Sequence, residues 1–299
     1  MRGATMMLAA VVVLVAAPAC TDFKAGEEAI DRGDYATALK EWRALAEQGD
    51  ALAQFNLGVM HAKGRGVPQD DREAVRWYRL AAAQGHARAQ FGLGIMYENG
   101  RGVPQDDKQA VRWYRRAAAQ GHASAQFNLG LMYAQGRGVP QDDKEAVRWY
   151  RRAAAQGHAS AQNNLGGMHA KGRGVPQDDK EAVRWHRLAA TQGHAEAQHN
   201  LGGMYDQGRG VPQDDKEAVH WYRLAAEQGA ASAQINLGFT YVTGSGVQQD
   251  YVQAYLWFNL AATEGNEIAR KIRDSLTKKM TAAQLADAQR LAREWKPRK

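Results

Sequence analysis

The chain has 299 residues with 31 glycines and one cysteine, and 39 Lys and Arg against 32 Asp and Glu give a formal net charge of +7. One cysteine excludes an intrachain disulfide framework, so stability must come from packing. The charges alternate in sign, as in Asp142-Asp143-Lys144-Glu145 and Arg148-Trp149-Tyr150-Arg151, which is the pattern of a solvated helix face rather than a nucleic-acid patch.

The first stretch, 1–19, reads as an export signal. Arg2 gives a short positive region, Met6 to Ala17 is an apolar run, and Ala17-Pro18-Ala19 has the small-x-small form of a cleavage site. The run is too short to span a bilayer comfortably as a mature helix. Cys20 follows directly, and its placement resembles a bacterial lipobox, which implies acylation of Cys20. Ala17 stands where that pattern prefers Leu, and plain cleavage after Ala19 with Cys20 left as a free thiol is the other reading. Either way the expected location is periplasmic or secreted, with a membrane contact only through a lipid on Cys20.

Residues 20–49 predict a degenerate helix pair, Thr21 to Gly33 and Tyr35 to Gln48, joined by a short Gly33-Asp34 connection. From residue 50 the chain repeats itself. Trp77, Trp113, Trp149, Trp185, Trp221 and Trp257 are spaced 36 residues apart, and Gly102, Gly138, Gly174, Gly210 and Gly246 keep the same step. Self-similarity at this period indicates a solenoid, in which each unit buries its apolar face only by stacking on its neighbours.

Each of the six loop-containing units in 50–265 predicts two helices. The first runs from Ala87 to about Glu98, with Ala89, Leu93, Met96 and Tyr97 on one side. A glycine recurs inside it, at Gly58, Gly94, Gly130, Gly166, Gly202 and Gly238, at a cost of about 1 kcal/mol each relative to alanine. That recurrence predicts a neighbouring helix packed on bare backbone. Asn99-Gly100 closes the helix. Arg101-Gly102-Val103-Pro104-Gln105 forms the connection, with Val103 free to tuck onto the stack. The second helix opens on Asp-Asp. Asp142 with Glu145, Asp178 with Glu181 and Asp214 with Glu217 fit a capping box with Asp at the cap. Val75, Tyr78 and Ala82, flanked by Trp77 and Ala81, form its core stripe. Beyond Gly265 the pattern changes, and 266–299 predicts two closing charged helices, about 266–279 and 282–295.

The Ala-x-Ala-Gln-x-x-Leu-Gly-x-Met-Tyr helix, the Gly-Arg-Gly-Val-Pro-Gln-Asp connection and the Ala-Val-x-Trp-Tyr-x-x-Ala-Ala-x-Gln-Gly helix together resemble the Sel1-like repeat (SLR), over roughly residues 35 to 265. SLRs are relatives of the tetratricopeptide repeat. The resemblance implies an all-α fold, a right-handed α-solenoid that is a superhelix of antiparallel helix pairs, used to hold protein partners. It also implies a bacterial envelope adaptor with protein partners there and no cofactor.

Within that frame Asn56, Asn128, Asn164, Asn200 and Asn236 form a ladder on the first helices, interrupted by Gly92. In the relatives this position faces the concave groove, where an amide both donates to and accepts from a peptide main chain. The alternative is that these amides serve local contacts or face water. The preceding position varies, as Phe55, Phe91, Phe127, Asn163, His199 and Ile235, which predicts a groove apolar in its N-terminal half and more polar beyond Asn163.

Catalysis is not expected. His86, His122, His158 and His194 recur one period apart, too far for a shared metal ion, and read as polar residues near a helix start. Ser275 and Lys278 fit Ser-x-x-Lys, but the Ser-Asp-Asn and Lys-Thr-Gly companions are missing. Some cysteine-rich SLR proteins are linked to β-lactams, and this chain lacks their paired cysteines. An envelope enzyme acting on cell wall or β-lactams, and a regulatory lipoprotein titrating a membrane partner, are the competing functions.

Overall fold

A computed structural model describes residues 22–297. The leader and Cys20 lie outside the described residues. Within them the chain is helical and has no strand. The helices are α1 (Phe23–Asp31), α2 (Tyr35–Glu47), α3 (Ala51–Lys63), α4 (Asp71–Ala83), α5 (Ala87–Asn99), α6 (Asp107–Ala119), α7 (Ala123–Gln135) and α8 (Asp143–Ala155). They continue as α9 (Ala159–Lys171), α10 (Asp179–Thr191), α11 (Ala195–Gln207), α12 (Asp215–Glu227), α13 (Ala231–Thr243), α14 (Tyr251–Thr263), α15 (Glu267–Leu276) and α16 (Ala282–Glu294). A single 3-10 turn, Thr277–Lys279, separates the last two, where the sequence predicts unbroken helix to 279. No helix among the described residues is long and apolar enough to cross a membrane.

The chain divides into two compact units. One holds the residues up to Met96 with Gly100–Pro104; the other holds Tyr97–Asn99 and everything from Gln105 on. In the first, Trp42 anchors the N-terminal end. Its ring stacks on Phe23 at 5.8 Å, its Nε1 donates to the Phe23 carbonyl at 3.3 Å, and it shares a core with Leu57, Met60 and Trp77. In the second, α7 with α8, α9 with α10, α11 with α12, and α13 with α14 pack as pairs, and each pair also packs on the next.

The recurring helix glycine does what its position predicts. A Cβ on Gly130 would lie 2.7 Å from the Tyr150 ring, and one on Gly202 2.7 Å from the Tyr222 ring. The second helix thus lays its aromatic directly on the backbone of the first. The loop valines complete the core, with Val67, Val175, Val211 and Val247 packed against successive clusters.

The helix ends are built from polar groups. Asp142 accepts from the backbone N–H of Lys144 and Glu145. The reciprocal half of the predicted capping box does not form. The Asp142 N–H already donates to the Tyr133 carbonyl at 3.0 Å, and Glu145 pairs with Arg148 instead. Likewise Glu181 pairs with Arg184, and Glu217 accepts from the Trp221 indole. The complete box forms at Thr281 with Gln284. The recurring histidines are caps: Nδ1 of His86, His122, His158 and His194 each accepts a backbone N–H three residues on.

A second polar seam runs through the stack. Gln126, Gln162 and Gln198 are buried and donate to the carbonyls of Ala118, Ala154 and Ala190. Their own Oε1 accepts from Gln156, Gln192 and Gln228 at 2.6–2.8 Å. At the C-terminal end α16 packs on α14, and Trp295 meets Trp257 edge-on with centroids 6.3 Å apart.

Candidate binding cavity on the first helices of the repeats

In the second unit, α7, α9 and α11 floor a cavity of about 450 Å³. It exists because this part of the chain uses smaller side chains than the other copies. Gly167 stands where Leu131 stands one period earlier, Asn163 replaces Phe127, and His186 replaces Tyr150. Ala134 and Ala170 occupy the place of Glu98. All but Phe127 and Glu98 line the cavity.

Gly167 is informative because packing does not require it. A Cβ there would meet nothing within 4 Å, and one on Gly203 would meet only the Tyr222 hydroxyl, at 3.6 Å. Alanine fits both sites and favours helix by about 1 kcal/mol. What the glycines provide is bare backbone on the helix face.

None of the ladder asparagines is sealed inside the stack. Asn56, Asn128, Asn164, Asn200 and Asn236 are all half-buried, and Asn164 and Asn200 line the cavity. Two of the amides are already engaged, however. Asn128, Asn164 and Asn236 adjoin the hydroxyls of Tyr114, Tyr150 and Tyr222. Asn200 Nδ2 donates to Asn163 Oδ1 at 3.1 Å, and Asn236 Nδ2 lies 3.1 Å from His199 Nε2. The ladder therefore ties repeats together as well as facing the cavity, so the local-contact reading holds for part of it. Buried His186 places Nδ1 3.0 Å from the same Asn163 oxygen, and burial pushes its imidazole down to about 4, so it is neutral at physiological pH.

The phenylalanine row is largely spent on packing. Phe55 lies against His86 at 4.9 Å and Tyr78 at 5.9 Å, and Phe127 against His158 at 4.7 Å and Tyr150 at 6.0 Å. Phe91 is half-buried at the same position.

Sequence reasoning missed a recurrent clasp. Arg101, Arg137, Arg173 and Arg209 each grip, through Nε and Nη2, the carboxylate of Asp71, Asp107, Asp143 or Asp179, thirty residues back. The first Asp of the Asp-Asp pair caps the helix, and the second receives the arginine. Such bidentate pairs fix orientation as well as charge. Arg137 does more: its Nη1 bonds Glu98 at 2.8 Å, and the Tyr114 hydroxyl donates to the other Glu98 oxygen at 2.5 Å. Arg173, Arg209, Lys171 and Glu196 are the charged residues of the cavity lining, with Arg173 and Arg209 each paired to its aspartate.

Among the described residues no group of three or more His, Cys, Asp or Glu side chains is placed to hold a metal ion. Ser275 and Lys278 are both exposed at the end of α15, away from the cavity lining.

No curated protein matches the chain. Among solved structures, a Sel1 repeat protein from Oxalobacter formigenes is 34% identical, with a TM-score of 0.73 over 79% of this chain and 94% of that one. A protective antigen of uropathogenic Escherichia coli strains, displaying an SLR fold, is also 34% identical, with a TM-score of 0.59 over 91% of this chain and 67% of that one. The Sel1 repeat family matches six consecutive segments: 51–86, 87–122, 123–158, 159–194, 195–229 and 231–266. The fold, the repeat and these matches agree: the chain belongs to the Sel1 repeat family, an α-solenoid of the tetratricopeptide-like kind whose repeats serve as protein-interaction scaffolds.

Proposed function

We propose that this protein is a non-enzymatic adaptor of the bacterial cell envelope that holds an extended segment of a protein partner against α7, α9 and α11. The observation that carries this reading is Gly167, a helix-interior glycine that no packing contact requires, in the floor of a cavity lined by amides. Bare helix backbone lets a ligand chain approach closely. The Asn164 and Asn200 side chains stand beside it, and an amide suits main-chain groups of any sequence. Export rests on the signal-like leader, and a lipid anchor rests on Cys20 following it.

A photocrosslinking amino acid placed at 167 in living cells tests the docking surface. Discrete polypeptide adducts identified by mass spectrometry are the expected result, with none from the same group at exposed Leu188 on α10. Equal adducts at both sites, or none at 167, would overturn it. Palmitate labelling that disappears in Cys20→Ala tests the anchor, and residence in the cytoplasm would end the envelope assignment.

A further inference from the structure

We infer that the cavity reads acidic side chains of its partner, with Tyr150 and Arg173 forming a carboxylate receptor whose internal template is Glu98. This rests on the reading of the cavity as a docking surface.

The repeat supplies its own comparison. In one copy, Glu98 projects from the first helix into a fork made by the Tyr114 hydroxyl and Arg137 Nη1, while Arg137 keeps Nε and Nη2 on Asp107. One period later the tyrosine recurs as Tyr150, the arginine as Arg173 and its aspartate as Asp143. The glutamate does not recur: the position is Ala134, which lines the cavity with Tyr150 and Arg173. Arg173 retains its two bonds to Asp143, and its Nη1 has no acceptor among the described residues. Asn164 adjoins the Tyr150 hydroxyl as Asn128 does that of Tyr114. The two donors that hold a carboxylate in one copy are thus repeated in the next without it, and they open into a cavity.

A further period on, Ala170 and Arg209 recur and line the same cavity, with His186 in place of tyrosine; its Nδ1 proton is held by Asn163, so Arg209 is the donor there. Lys171 adds positive charge at the rim. The Arg173 and Arg209 guanidinium groups, one repeat apart beside the bare backbone of Gly167, fit an extended segment bearing two Asp or Glu side chains. Charge-assisted bonds from a guanidinium are the strong ones, and partial burial strengthens them further.

The test uses the purified protein and two C-terminally amidated peptides with the same fluorophore, pentaglutamate and pentaglutamine, followed by fluorescence anisotropy. Pentaglutamate is expected to bind and pentaglutamine not to. Arg173→Gln should weaken pentaglutamate binding about tenfold or more. Ala134→Glu should do the same by restoring the internal carboxylate, and should also raise the melting temperature. Arg65→Gln, whose guanidinium lies over Tyr35 instead, should leave binding unchanged. If Ala134→Glu does not fold, Ala170→Glu beside Arg209 gives the same readout. Equal binding of pentaglutamine, undiminished binding in Arg173→Gln or Ala134→Glu, or binding that requires a free C-terminal carboxylate would each overturn the assignment. A partner crosslinked at 167 equally well with and without Arg173→Gln would sink the carboxylate receptor and leave the scaffold standing. Pentaglutamate binding as described, with no crosslinked protein, would do the reverse.

Discussion

At Gly138 a methyl group has no room. The backbone takes φ +67°, and a Cβ would sit 2.3 Å from the Asp107 carbonyl oxygen. Gly138→Ala should therefore lower stability by about 2 kcal/mol, through a disfavoured conformation and a clash with backbone that cannot yield. Gly167→Ala should do the opposite and gain about 1 kcal/mol, because nothing lies within 4 Å of the new methyl. Urea unfolding midpoints of the two variants check the contrast. The glutamine seam makes a third residue-level prediction. Gln234 Oε1 is buried without a partner, because its donor in other copies, a glutamine such as Gln228, is Glu264 here. Glu264→Gln should restore that bond and stabilise by about 1 kcal/mol, read as a raised melting temperature.

At the scale of the helix, capping carries a pH dependence. His158 and His86 accept through Nδ1, and burial lowers both imidazoles below their ordinary 6.5; buried His186 is lowered to about 4. The unfolded chain then binds more protons than the folded one between these values. Stability is complete above about pH 6.5 and falls on acidification towards about 4. Melting temperatures measured across this range should show the decline, and His158→Asn, which caps without titrating, should make it shallower. Helix α13 opens on Ala230, which offers no side-chain cap, whereas Asp50 caps Ala53 at the equivalent place. Ala230→Asp should add about 1 kcal/mol. The helices themselves were legible in the sequence, because Asp, His and Gly mark their ends and the buried Ala, Leu and Tyr mark their faces. The clasps were not, for a reason particular to repeats. Arg137 is thirty residues after Asp107 and six before Asp143, and in a chain of equal copies both offsets recur everywhere. Only the fold chooses between them. The same ambiguity hid the bond from Asn200 back to Asn163, and with it the fact that the ladder joins repeats.

At the scale of the whole molecule, stability is a sum of neighbour contacts, so the ends decide whether the stack stays soluble. Leu256, Trp257, Phe258 and Leu260 on α14 are all nearly buried, partly under α16 and Trp295. Removing 266–299 should expose them, and the shortened protein should bind a hydrophobic dye and self-associate in light scattering. The reach of the arginine clasp has a different consequence. Were Ala123 to His158 excised, Arg173 would find Asp107 thirty residues back and the join would close on native partners. Unequal recombination that drops or inserts one full period therefore changes the length of the stack while every arginine clasp still closes on an aspartate. A lineage built this way can lengthen or shorten its stack in single steps, each join made by the same ion pair.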